Sequence, residues 1–125
     1  MLLNRLLDPP SGQELGLLFE SWFINEIHRL RDYYFKGDTL SFWREGNHEI
    51  DLLVHNGRDF KLAIEIKSGE IDEASLLSTR NFMTRHPDVP IVVASLKATA
   101  PRKTESGVTI LPWKEAIALY LEKSR

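Results

Sequence analysis

A chain of 125 residues is long enough for one domain that buries roughly two-thirds of its unfolded surface. An apolar fraction of 42% and a charged fraction of 27% are those of an ordinary globular protein. The net charge of −2 excludes a grip on nucleic acid by bulk charge, and the absence of cysteine excludes disulfides and thiolate metal sites.

Met1 to Leu7 is leucine-rich, but Arg5 interrupts it and Asp8-Pro9-Pro10 ends it. The stretch is too short for the apolar core of a signal peptide and far too short to span a bilayer, so no membrane segment and a cytoplasmic location are expected. Pro9-Pro10-Ser11-Gly12 divides the chain into a short lead, residues 1–11, and a single domain, residues 12–125. The lead reads as a stub of a preceding region.

From Gln13 to about Tyr34 the spacing predicts a helix. Leu15, Leu18, Phe19, Trp22, Phe23, Ile24, Ile27 and Leu30 recur at three- and four-residue steps, and Gly37 supplies a left-handed stop. Three strands follow, at Thr39–Arg44, Glu49–His55 and Lys61–Lys67, with a hairpin turn at Asn56-Gly57. A second helix is expected from Asp72 or Glu73 to Arg85, with Asp72 as N-cap and Leu76, Leu77, Phe82 and Met83 as its apolar contacts. Pro90 to Leu96 reads as a strand covered on both faces, followed by a basic loop over Lys97–Gly107. Val108–Leu111 is one more strand, and Pro112 opens a last helix through Leu121. The fold class is α/β, with a mixed sheet flanked by helices on both faces.

Chemistry concentrates in one window. Strand residues alternate in direction, so Glu65 and Lys67 share a face while Ile66 points away. Asp51 comes within their reach if the two strands are neighbours. Two acids and a lysine at a sheet edge suit magnesium-dependent phosphodiester cleavage, the acids holding a hard cation and the lysine orienting water. The plainer alternatives are an exposed turn cap for Asp51 and a salt bridge for Glu65 with Lys67. In the first helix, Glu20 falls between Ile24 and Ile27 in angular register, inside the apolar arc, and a buried acid needs a partner. Glu26 approaches the same arc.

Other features fit ordinary roles. Glu49 shares a face with Asp51 at an exposed strand start, and His28, His48, His55 and His86 read as scattered surface histidines without metal-ligand spacing. Phe42 and Trp43 read as packing. Lys97, Arg102 and Lys103 form the one concentrated basic loop, a solvated segment or a phosphate-contacting rim.

The order of these elements, with Glu20 on a leading helix, Asp51, then Glu65-Ile66-Lys67, resembles the PD-(D/E)XK nuclease superfamily and its restriction-endonuclease-like αβββαβ core. More narrowly, Gly16-Leu17-Leu18-Phe19-Glu20, Phe42-Trp43-Arg44, Glu49-Ile50-Asp51, Ala63-Ile64-Glu65-Ile66-Lys67 and Leu111-Pro112-Trp113 look like the C-terminal domain of unknown function of prokaryotic AAA-type ATPases. The resemblance implies that Glu20, Asp51 and Glu65 ligate Mg²⁺, with Mn²⁺ as a substitute and the Ile66 carbonyl as a further ligand. Asp51, Glu65 and Lys67 would be the catalytic residues, Lys67 positioning the attacking water. The implied substrate is nucleic acid, DNA ahead of RNA, and the implied partner is an ATPase domain in a longer parent. No proline precedes Asp51, and no Gly-x-x-x-x-Gly-Lys-Ser/Thr loop is present. The alternative is a catalytically silent nuclease-fold module that binds nucleic acid or protein for the ATPase. A nuclease cutting both strands would suit a two-fold homodimer.

Overall fold

The computed structural model describes residues 15–34 and 36–123. The lead at residues 1–11, its division from the domain, and the expected helix start at Gln13 lie outside them. Helix α1 (Leu15–Tyr33) buries Phe19, Phe23, Ile27 and Leu30, the three- and four-residue series that an inward face requires. Leu18, expected in that stripe, is 46% exposed. Gly37 is not the left-handed stop expected of it. Tyr34 and Lys36 already donate their amides to the carbonyls of Leu30 and Arg31, and among the described residues the left-handed glycines are Gly46, Gly57 and Gly107. Gly46 and Gly57, at φ 61° and 59°, make the two hairpin turns.

Strands β1 (Thr39–Glu45), β2 (His48–Asn56) and β3 (Asp59–Lys67) form an antiparallel meander. A 3₁₀ turn (Ala74–Leu76) and helix α2 (Leu77–Arg85) then lead to β4 (Ile91–Ser95), which runs parallel to β3. A two-residue strand β5 (Arg102–Lys103) lies within the expected basic loop, and β6 (Thr109–Pro112) runs parallel to β4. Helix α3 (Trp113–Lys123) closes the order. Pro112 is therefore the last strand residue and not the first helical one. The sheet order is β1-β2-β3-β4-β6-β5, a mixed six-stranded sheet with the αβββαβ sequence of elements at its centre.

Helices cover both faces. Phe19, Phe23 and Ile27 of α1 join Trp113, Ala116 and Tyr120 of α3 against Leu52, Val54, Leu62, Ile64 and Ala94. The Trp22 and Trp113 rings meet edge to face at 5.2 Å, locking α1 to α3. On the other face Phe82 of α2 packs with Ile50, Leu53 and Ala63, while Leu76 packs with Val93, Val108 and Ile110. Leu77 takes no part and is 56% exposed, because the chain enters as a 3₁₀ turn that presents Leu76 to the sheet and turns its neighbour out. Asp72 is not the N-cap expected of it, since that position falls to Glu73 for the 3₁₀ turn and to Leu76 for α2. It braces the entry from just outside, its Oδ1 accepting the Ser75 amide at 2.9 Å while Ser75 Oγ accepts the Asp72 amide at 3.2 Å.

Of the two register irregularities in the sheet, at Ser41/Trp43 and at Val54/His55, the first shapes the end that carries Asp51. Ser41 pairs with Leu53 and Trp43 with Ile50, so β2 carries one more residue than β1 across the same step. This bulge at Asp51-Leu52 breaks alternation, which is why Ile50 and Leu53 both enter the α2-side core. His86 is also drawn inward. Its ring lies 4.7 Å from Phe82 and 5.7 Å from Trp43, correcting its expected surface place. Phe42, expected to pack, is 54% exposed with the Arg44 guanidinium over its ring at 5.8 Å.

Phe82 anchors α2 on this face, fully buried against Trp43 and His86. Phe82→Ala is expected to cost about 3–5 kcal/mol in denaturant unfolding, the range for emptying a phenylalanine site in a core.

Candidate active site

The ladder between β2 and β3 ends at the pair Leu52–Ile64. Beyond it the strands separate, and Asp51 sits at the mouth of the fork. Its Oδ2 accepts the Ile66 amide at 2.8 Å, taking the donor that a paired strand would otherwise satisfy. The exposed turn cap is therefore not the role of Asp51. It ties β2 to β3 across the opening.

Two further acids converge on it. Glu65, only 7% exposed, lies near enough to Asp51 for the side chain and the main chain of that residue both to act on its carboxyl. Glu20 reaches the same carboxyl from α1 and is partly buried there. The α1 backbone approaches the end of β3 closely, since a Cβ added at Gly16 would stand 3.8 Å from Ser68 Oγ. Lys67 is half-buried, and its charge acts on both glutamates. The four residues singled out in the sequence thus meet at one place.

Their electrostatics are those of a crowded acid cluster. Burial first, then the hydrogen bond and charge of Asp51, push the Glu65 carboxyl up to about 9, against the opposing pull of Lys67. Glu20 is raised as well, by burial and then by Asp51, with Lys67 opposing and Glu49 adding to the rise. Glu49 is held mainly at the rim, paired with Arg44. Among the described residues, no three acids or histidines stand ready as a preformed cation cage. The donor set is nevertheless all oxygen, which suits a hard cation. Carboxyls in mutual contact need either shared protons or a cation to relieve their repulsion.

The other sequence candidates go elsewhere. His55 Nδ1 donates to the Gly57 carbonyl and its Nε2 accepts from the Ser41 hydroxyl, both at 2.8 Å, so it braces the β2–β3 turn and ties β2 to β1. His48 meets Ser78 on α2 at 3.3 Å. Glu26 is 5% exposed, and its Oε2 has no hydrogen-bond partner; burial raises its carboxyl while Arg29 opposes. Of the buried polar residues that escaped sequence reasoning, Asp38, Thr79 and Ser95, two make informative contacts. Asp38 is buried beside the Tyr120 hydroxyl at 3.5 Å, and nothing in its local pattern distinguishes it from a turn acid. Ser95 is 2% exposed and pairs with Lys67 across β3 and β4; its signal was a lone hydroxyl within an apolar run.

Because the folded-state value of Glu65, about 9, lies above its ordinary 4.5, folding takes up a proton between those limits. The stabilisation is full below the lower value and is lost as pH rises through the higher one. In chelator, Glu65→Gln is expected to melt about 4 °C or more above the wild type near pH 8, with the gap closing toward about pH 5. Melting curves across that range check it; parallel curves for the two proteins would contradict the assignment.

No described helix is long and apolar enough to cross a membrane. A family model described as "Domain of unknown function (DUF4143)" matches residues 15–116. No curated protein and no solved structure matches significantly. The matched span runs from the start of α1 into α3 and takes in all six strands and every residue of the acid cluster. The chain belongs to the DUF4143 family.

Proposed function

We propose that this domain is a metal-dependent nuclease of PD-(D/E)XK type, hydrolysing phosphodiesters of DNA in preference to RNA. The observation that carries this reading is the convergence of Glu20 and Glu65 on Asp51 at the β2–β3 fork, with Lys67 alongside. Glu20, Asp51 and Glu65 would hold magnesium, or manganese in its place. The bound ion would supply a nucleophilic water at neutral pH and neutralise charge developing on phosphate.

The chain's own groups divide the remaining work. Asp51 is fixed by the Ile66 amide, so its free lone pairs stay directed into the fork. Glu65 is protonated at neutral pH while the cluster holds only its own charges, and giving up that proton makes it an anionic ligand. Lys67 brings an ammonium donor and positive charge to the side where an attacking water and a phosphate oxygen would lie. Glu20, on a separate element, lets the position of α1 determine how closed the site is. As the resemblance implies, the domain would act as the appended part of an AAA-type ATPase that presents nucleic acid to it.

A second reading is a silent module that binds nucleic acid or protein for such an ATPase. It is favoured by the lack of a preformed cation cage among the described residues and by the mildly acidic charge.

Circular single-stranded and duplex DNA, incubated with Mg²⁺ or Mn²⁺, separate the two. The wild type is expected to cut, and Glu65→Ala and Lys67→Ala each to lose about 100-fold or more in rate, as for removal of a positioned catalytic group. Cleavage at an equal rate in all three proteins would remove the assignment, and binding without cleavage would select the silent module.

A further inference from the structure

On the far side of Lys67 from Asp51 the sheet opens into a cleft of about 200 Å³, bounded by Gly69, Ser95, Lys97, Arg102 and Ile110. It lies at the carboxyl ends of β3 and β4, the end of parallel strands at which open α/β sheets receive ligands. Ser95 is the direct neighbour of Lys67 in the parallel pair, one strand spacing of about 4.8 Å away. The Leu96 amide binds the Lys67 carbonyl at 2.9 Å, which fixes the two positions to each other.

Apart from Glu70, the polar side chains lining this cleft are donors. Ser95 is 2% exposed, and its Oγ accepts the Ala98 amide at 3.0 Å, leaving the hydroxyl proton to be given to something else. Arg102 brings a guanidinium from β5, and Lys97 an ammonium from the segment after β4. The one anion at the rim is Glu70, exposed and paired with Lys97 at 3.5 Å. An ion pair this exposed is weakly held, so a phosphate oxygen can compete with Glu70 for the Lys97 ammonium.

From this geometry we infer that the Ser95–Lys97–Arg102 cleft is a phosphate subsite. It holds a backbone phosphate of the nucleic-acid strand adjoining the phosphodiester at Lys67. The inference rests on the nuclease reading for the identity of the substrate, but not for the chemistry of the cleft. It also explains how a chain of net charge −2 would hold a polyanion: through a few placed donors in place of a broad basic face.

The test uses a fluorescent DNA duplex in chelator, so that binding is read without cleavage. Lys97→Ala and Arg102→Ala are each expected to weaken binding about 3–10-fold and to reduce the salt dependence by about one phosphate contact. Arg58→Ala, at the remote β2–β3 turn, should bind as the wild type does. Glu70→Gln should bind about two- to threefold tighter, because it removes the competing anion. In parallel, inorganic phosphate should raise the melting temperature of the wild type and not of Arg102→Ala. Unchanged DNA affinity in both cation variants overturns the subsite while leaving the nuclease reading standing. Stabilisation by phosphate that needs Arg102, without DNA binding, upholds the cleft as an anion site and overturns the nucleic-acid reading instead.

Discussion

The contact between Asp51 and the Ile66 amide governs this molecule. A sheet interior cannot leave a strand amide unpaired, and at the end of the β2–β3 ladder a carboxylate supplies the missing acceptor. That solution places a charge where the two strands part. Everything near it follows: Glu65 and Glu20 crowd the same carboxyl, Lys67 offsets part of the charge, and the local chain departs from regular pairing. The bulge at Asp51-Leu52 belongs to the same constraint, because it lets β2 keep Ile50 and Leu53 in one core while presenting Asp51 to the fork.

Much of this was legible in the residues. Hydrophobic periodicity gave the order of helices and strands, and the Asn56-Gly57 turn fixed the hairpin that brings Asp51 opposite the end of β3. Glu65-x-Lys67 stood out because charge within an apolar strand is costly without a purpose. Glu20 stood out for the same reason on a helix. What pattern could not supply was the bulge, since alternation carries no mark of an inserted residue until the partner strand is seen. Its place just after a turn left an exposed strand start open as the plainer role for Asp51, whereas the fork makes it a structural acceptor.

In the remaining differences, the preference of a single residue was overruled. Gly37 has the freedom to end a helix, but the α1 carbonyls were already satisfied by Tyr34 and Lys36. Leu77 fits a helical stripe only if the helix begins at Asp72, and the 3₁₀ entry shifts that phase. His86 has no local signal for burial and is taken into an aromatic cluster formed by residues from three other elements. The first two turn on how a helix end is satisfied locally, and His86 on tertiary contacts that spacing along the chain does not hold.

The proposed role of the acid cluster at the fork is to take up a divalent cation. Calorimetric titration of Mg²⁺ into the wild type and Asp51→Asn tests it most directly, with thermal melts to confirm that both are folded. Saturable uptake is expected of the wild type, and its loss in the variant. Equal heats in the two folded proteins, or no uptake by either, would contradict it.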